Sequence, residues 1–125
     1  MSRFIIALVL TCCLTCIAEF VPLLFLKNRW SFVRTSILCN IVTNPVLNVV
    51  VAMVLVYTND YTVYYIVLAF LEIAVVFVEG LYYKRFVGIE YKKAVLVSLI
   101  ANVCSYVVGT IVNETGLMFK LLPLQ

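Results

Sequence analysis

The chain has 125 residues, of which 66% are apolar and 12% are charged, whereas an ordinary soluble domain carries about 25% charged residues. The mean hydropathy is +1.16 and the formal net charge is +3. These values exclude a soluble globular domain, a disordered chain and a basic nucleic-acid-binding protein. They predict an integral membrane protein.

Four apolar segments follow one another along the chain, at residues 4–26, 36–57, 61–83 and 94–113. A helix that crosses a bilayer needs about 20 apolar residues. We therefore predict a single all-α transmembrane domain over residues 1–125, with four transmembrane helices. An apolar tail, 114–125, follows the last helix. Gly116 is a candidate for the helix end, and the tail would lie along the membrane surface or against a partner.

Seven of the nine Lys and Arg residues lie in two segments, 27–35 and 84–93. In a four-span protein these two segments face the same side, and basic loops stay cytoplasmic. The pattern predicts a cell-membrane protein with both basic loops in the cytoplasm and both termini on the outer side. Tyrosines near the predicted helix ends, including Tyr83, are interpreted as aromatic belts at the membrane–water interfaces.

All five cysteines fall within the predicted helices, and the chain has no histidine. A redox or zinc role for Cys13 and Cys16 would require exposure or further ligands. The cysteines are therefore interpreted as small packing residues. We expect no enzymatic activity and no cofactor.

An internal duplication is indicated by two matching segments. Residues 36–43 (SILCNIVT) and 98–105 (SLIANVCS) share serine and asparagine at equal spacing. Each segment follows a basic loop, and each basic loop follows a helix with a glutamate, Glu19 or Glu79. The chain is thus predicted to form two tandem helical hairpins related by an axis along the membrane normal. The alternative is a chance match, because apolar helices are built from few residue types.

Three of the six acidic residues lie within the predicted helices: Glu19, Glu72 and Glu79. A charged residue at the bilayer centre costs about 2.5–3.5 kcal/mol on insertion scales, and no Lys or Arg lies deep enough to pair with them. We expect these glutamates to face the bundle interior, protonated or paired with a cation. Glu72 and Glu79 are two helical turns apart and share one face.

Asparagines add a second set of polar groups at similar depth. Asn40 and Asn44 lie one turn apart on the second helix, and Asn102 lies on the fourth. Carboxylates combined with carboxamide oxygens suit protons and hard cations. Ser36 and Ser98 are interpreted as ordinary helix-packing residues. The predicted ion-binding set contains six residues: Glu19, Glu72, Glu79, Asn40, Asn44 and Asn102.

Residues 40–48 (NIVTNPVLN) and 71–80 (LEIAVVFVEG) resemble a pattern in small four-helix prokaryotic membrane proteins that carry no assigned activity. The resemblance implies a four-helix fold over the whole chain and supplies no mechanism. From the residues themselves we predict a carrier or channel subunit that moves a proton or a hard cation. The alternative is a non-transporting accessory or scaffold subunit. The expected partners are the lipid bilayer and either copies of the chain or another membrane protein, and not nucleic acid.

Overall fold

The computed structural model describes residues 2–115, which form four helices. These are α1 (Ser2–Leu23), α2 (Arg29–Thr58), α3 (Tyr61–Val87) and α4 (Tyr91–Glu114). No strand occurs in the part of the chain that is described. Each helix is long and apolar enough to cross a membrane, with mean hydropathy between 2.0 and 2.3 over its most apolar part. The all-α fold with four such helices is thereby confirmed.

At the basic end, α2, α3 and α4 continue beyond the predicted apolar segments, whereas α1 ends at Leu23, three residues before the predicted end at 26. The segments 27–35 and 84–93 were expected to be loops, but α2 already begins at Arg29 and α3 continues through Arg85 to Val87. The connections are only residues 24–28 and 88–90. Lys and Arg are good helix formers. A basic segment therefore indicates where a helix would leave the hydrocarbon core, but it does not indicate where the helix ends.

The three connections are tight turns that use left-handed backbone conformations. Asn28 (φ 59°) precedes α2, Asn59 (φ 49°) ends it and Gly88 (φ 79°) ends α3. Asp60 caps α3, since its Oδ1 accepts a hydrogen bond from the Thr62 backbone N–H at 2.7 Å. Such short turns make consecutive helices antiparallel. The start of α1, the α2–α3 turn and the end of α4 therefore lie at one end of the bundle, called here the terminal end, and the other two turns lie at the basic end.

The four helices form a closed ring in chain order. Each packs against its two neighbours, and α4 packs back against α1. Over residues 2–115, α1 and α3 make no close backbone contact, nor do α2 and α4. These two pairs therefore face each other diagonally across the bundle axis.

The basic end of the bundle is closed by an apolar plug of five buried residues, Leu23, Phe32, Val33, Tyr83 and Ala94. The rings of Phe32 and Tyr83 pack with centroids 5.4 Å apart. Tyr83 was expected in an interfacial belt, but it is fully buried. A tyrosine four residues from Glu79 shares that residue's inward face, and this overrides the preference of tyrosine for the interface.

The predicted tail, 114–125, falls mostly outside the described residues. Glu114 is the last residue of α4 and Thr115 follows in a turn. The proposed helix end at Gly116 and the apolar segment after it lie beyond the part that is described.

Candidate ion site at the bundle centre

Glu19 on α1 is held by two side chains of α2. Its Oε2 accepts a hydrogen bond from Ser36 Oγ at 2.6 Å and from Asn40 Nδ2 at 2.6 Å. Ser36 and Asn40 are four residues apart, so they lie on one face of α2. The Glu19 side chain is fully buried. One carboxyl oxygen is thus fixed by a serine and an asparagine from the returning helix of the same hairpin.

Glu79 on α3 is held in the same way by α4. Its Oε2 accepts hydrogen bonds from Ser98 Oγ and from Asn102 Nδ2, both at 2.7 Å. Glu79 is also fully buried. The backbone of α3 comes close to α4 beside this cluster, because a Cβ on Gly80 would lie 2.7 Å from Val95 Cγ2. This close approach brings Glu79 within reach of α4.

The two hydrogen-bonded clusters consist of matching residues at matching positions. Asn40 Nδ2 lies 3.4 Å from Ser36 Oγ, and Asn102 Nδ2 lies 3.3 Å from Ser98 Oγ. The correspondence extends to the backbone. The left-handed residues Asn28 and Gly88 each lie nine positions after the glutamate of their hairpin.

Each glutamate keeps one buried oxygen that has no hydrogen-bond partner. Glu19 Oε1, Glu79 Oε1 and Tyr83 Oη are the three buried side-chain oxygen or nitrogen atoms in this condition among the described residues. Tyr83 lies near enough to both carboxyl groups to interact with them electrostatically, and the two carboxyl groups interact with each other. The Tyr83 hydroxyl also lies near Ser36, without a hydrogen bond of ordinary geometry between them. Buried polar atoms are usually satisfied, so these three oxygens call for a partner, and protons and hard cations are the partners that such oxygens bind.

Among the described side chains, no Lys or Arg forms an ion pair with either carboxyl group. Within residues 2–115 the one ion pair joins Lys93 to Glu90, at 3.3 Å on the exposed basic end. In the same range no group of three or more His, Cys, Asp and Glu residues is placed to hold a metal ion. The donors available at the centre are therefore two carboxyl oxygens and one phenol oxygen.

A polar cavity of about 550 Å³ occupies the terminal half of the bundle and ends next to the two glutamates, which do not line it. Its lining includes Glu114 and Thr110 near the end of α4, and it extends to Asn40 and Asn102. These asparagines line the cavity and also donate to the glutamates. The cavity thus extends from the terminal end to the two asparagines that hold the glutamates, and the apolar plug closes the other side.

The cavity is lined largely by equivalent positions of the two hairpins, with Ser36 matched to Ser98 and Glu19 to Glu79. Such pairs account for twelve of the eighteen lining residues. These pairs are Asn40 and Asn102, Thr43 and Ser105, Asn44 and Tyr106, Leu47 and Gly109, Asn48 and Thr110, and Thr15 and Val75.

Four of the six predicted site residues lie together: Glu19 and Asn40 in one cluster, Glu79 and Asn102 in the other. Asn44 is directed to a different partner, because its Nδ2 donates to Thr15 Oγ1 at 3.0 Å in the cavity wall. Glu72 also lines the cavity, and it is absent from the hydrogen bonds found among the described side chains. Asn44 and Glu72 therefore line the cavity and form no hydrogen bond with Glu19 or Glu79.

The sequence interpretation missed Ser36, Ser98 and Tyr83 as members of the site. The two serines were assigned to helix packing, although each stands four residues before an asparagine and so faces the same way. Tyr83 stands four residues after Glu79 and was assigned to the interface. Each of these three residues lies four positions from a predicted site residue, and this spacing could have identified it.

Comparison with known proteins finds no relative whose site could be compared with this one. The chain matches no protein-family model, no curated protein and no solved structure.

Proposed function

We propose that this protein is a small membrane carrier or channel subunit that moves protons or hard cations through the Glu19–Glu79 pair. The observation that carries the proposal is the pair itself: two fully buried carboxyl groups, each with one oxygen fixed and one oxygen free. Helix packing is a poor explanation, because glutamine would make similar hydrogen bonds without the cost of burying an ionisable group.

Charge balance indicates how the site works. Two buried carboxylates without a basic partner are too costly to coexist as anions, so in the absence of a bound cation at least one holds a proton. A cation that reaches the free oxygens from the cavity compensates the charge and allows the proton to leave. The site would thus exchange protons for a hard cation, with the two carboxyl oxygens and the phenol oxygen as the donors.

The duplication is part of the same proposal. Two hairpins of one design would place their glutamates on opposite sides of a central axis, which is where transporters built from repeats bind their substrates. The paired clusters and the paired cavity positions support this interpretation. They also suggest a motion in which the hairpins rock about the site, closing the cavity and opening the plug.

The charge distribution of the turns supplies an orientation. If the basic turns face the cytoplasm, the cavity opens to the outside and the plug separates the site from the cytoplasm. The large exposed apolar side chains around the bundle would face lipid, among them Ile17, Val46, Phe70 and Leu96.

The proposal is tested by reconstitution into liposomes that contain a pH-sensitive dye, with imposed gradients of protons, Na⁺, K⁺, Mg²⁺, Ca²⁺ or Mn²⁺. We expect the parent protein to give a flux that falls to the level of empty liposomes in Glu19→Gln and Glu79→Gln. Glu90→Gln, which alters an exposed glutamate in a turn at the basic end, is the matched control and should retain the flux. A parent protein without flux in every gradient would overturn the proposal and favour the accessory-subunit alternative.

A further inference from the structure

A second cavity opens on the side of the bundle, between α3 and α4. It measures about 470 Å³ and is called here the side groove. Several residues along it are well exposed on the lipid-facing surface, including Ile73 (58%), Leu99 (47%) and Val103 (53%). In a membrane-spanning bundle the side groove would therefore open onto lipid.

The side groove and the central cavity are neighbours. They share six lining residues from α3 and α4: Tyr65, Leu68, Glu72, Asn102, Ser105 and Tyr106. Gly80 on α3 lies close to Val95 on α4, and the shared residues lie towards the terminal end from this contact. Apolar side chains such as Ile73 and Leu99 line the side groove but not the central cavity.

Glu72 stands where the two spaces meet. It lines both of them and is half-buried. None of the hydrogen bonds or ion pairs found among the described residues uses its carboxyl group. Glu114 is the other acidic residue on the central cavity, and the described lining of both spaces contains no Lys or Arg. An anionic headgroup would find no partner here, whereas a cation would be attracted.

Three tyrosines also favour a cation over an anion at this place. Tyr64, Tyr65 and Tyr106 line the central cavity, and the rings of Tyr64 and Tyr65 pack edge to face with centroids 5.1 Å apart. Aromatic faces attract organic cations, most strongly where water is excluded. The volumes of both spaces lie within the range of about 300–1,000 Å³ that is usual for sites of drug-sized ligands.

We propose that the side groove and the adjoining cavity at Glu72 bind a membrane-dissolved organic cation, which enters sideways between α3 and α4. Its apolar body lies in the side groove, and its positive centre lies against Glu72 and the tyrosine rings. This site goes beyond ion transport at the bundle centre and stands on different acidic residues, so its test does not depend on the activity of Glu19 or Glu79.

The test measures equilibrium binding of radiolabelled tetraphenylphosphonium to the parent protein in lipid nanodiscs. Empty nanodiscs are subtracted to remove partition into lipid. Tetraphenylborate, which has the same shape and the opposite charge, is the comparison ligand. We expect saturable binding of the cation only. Absence of saturable binding, or equal binding of the anion, would overturn the proposal.

Two variants locate the site. Glu72→Gln removes the charge and should weaken cation binding about tenfold or more, since a close ion pair in a poorly hydrated site is strong. Ala69→Trp fills the side groove and should also abolish binding, whereas Ala74→Trp, on an exposed part of α3 that lines neither space, should not. Binding that survives both Glu72→Gln and Ala69→Trp would contradict the site. Binding lost in Ala69→Trp but unchanged in Glu72→Gln would indicate an apolar lipid or helix site and would overturn the assignment of a cation.

Discussion

At the scale of single residues, the central observation is that serine and asparagine leave each glutamate with one fixed and one free oxygen. The hydrogen bonds at Oε2 hold the carboxyl group in one orientation. The oxygen Oε1 then points to a place where neither a basic nor a hydrogen-bonding partner is found among the described residues. A site for an exchangeable ion requires this combination of a rigid frame and an unfilled coordination position.

Loss of either serine should destabilise the protein to a similar extent. Ser36→Ala and Ser98→Ala each remove a donor to a buried carboxyl group, which costs about 1–3 kcal/mol. Ser105→Ala is the control, since Ser105 Oγ donates to the Asn102 carbonyl oxygen within its own helix. Thermal unfolding in detergent measures the effect. Variants at Ser36 and Ser98 that are no less stable than Ser105→Ala would contradict the structural role of the two clusters.

Tyr83→Phe should distinguish a role of the hydroxyl in ion binding from the role of the ring in packing. The change removes a buried hydroxyl that has no hydrogen-bond partner and keeps the ring against Phe32, so stability should stay equal or rise. If Oη is a ligand, the ion concentration that gives half-maximal flux should increase. Tyr82→Phe, on the exposed side of α3, is the control. An unchanged ion affinity in Tyr83→Phe would exclude the hydroxyl as a ligand.

Sequence reasoning reached part of this site. The sequence placed Glu19, Glu79, Asn40 and Asn102 in one candidate site at similar depth, but it did not indicate which asparagine binds which glutamate. The burial of Tyr83 did not follow, since a tyrosine near the end of an apolar segment fits an interface equally well. Its position depends on which face of α3 turns inward at the basic end, and that is decided by packing.

At the scale of helices, the shape of the cavity depends on how α3 and α4 diverge. They approach closely at Gly80, and the side groove lies between them on the side towards Tyr65 and Tyr106. Hydropathy predicted the existence of the four helices, but it contains no information on where two helices touch and where they part. Both cavities were therefore beyond sequence reasoning.

Gly80→Ala should disturb the α3–α4 contact. The new Cβ would lie 2.7 Å from Val95 Cγ2 and 3.2 Å from Val95 Cα, so the helices must shift. A cost of about 1–3 kcal/mol is usual for such overpacking. Gly109→Ala is the matched control on α4, because its Cβ would meet nothing within 4 Å. Equal thermal stability of the two variants would show that the Gly80 contact does not hold the helices together.

At the scale of the whole molecule, orientation in the membrane decides what the cavity faces. We expect Asn59→Cys, in the turn between α2 and α3, to react with a membrane-impermeant maleimide added to intact cells. Glu90→Cys, in an exposed turn at the opposite end, should react only after the cells are opened. The parent protein controls for its own cysteines. The reverse pattern would place the cavity on the cytoplasmic side.

We also expect a homo-oligomer, because four short helices form a small membrane body. One bundle already encloses the carboxyl pair and its cavity, so the ion site itself does not require a second copy. The mass of the gently purified protein in nanodiscs measures the oligomeric state. A fixed stoichiometry with a different membrane protein would instead favour an accessory role.

The most direct measurement of the central proposal is infrared difference spectroscopy of the protein in lipid, recorded while a cation that supports flux is added at constant pH. We predict that the carbonyl band of a buried protonated carboxylic acid decreases and that a carboxylate band appears as the cation displaces the proton. The signal should be lost in the double variant Glu19→Gln, Glu79→Gln and retained in Glu90→Gln. A parent protein whose carboxylic acid band does not change with any tested cation or with pH would contradict an exchangeable ion site at Glu19 and Glu79.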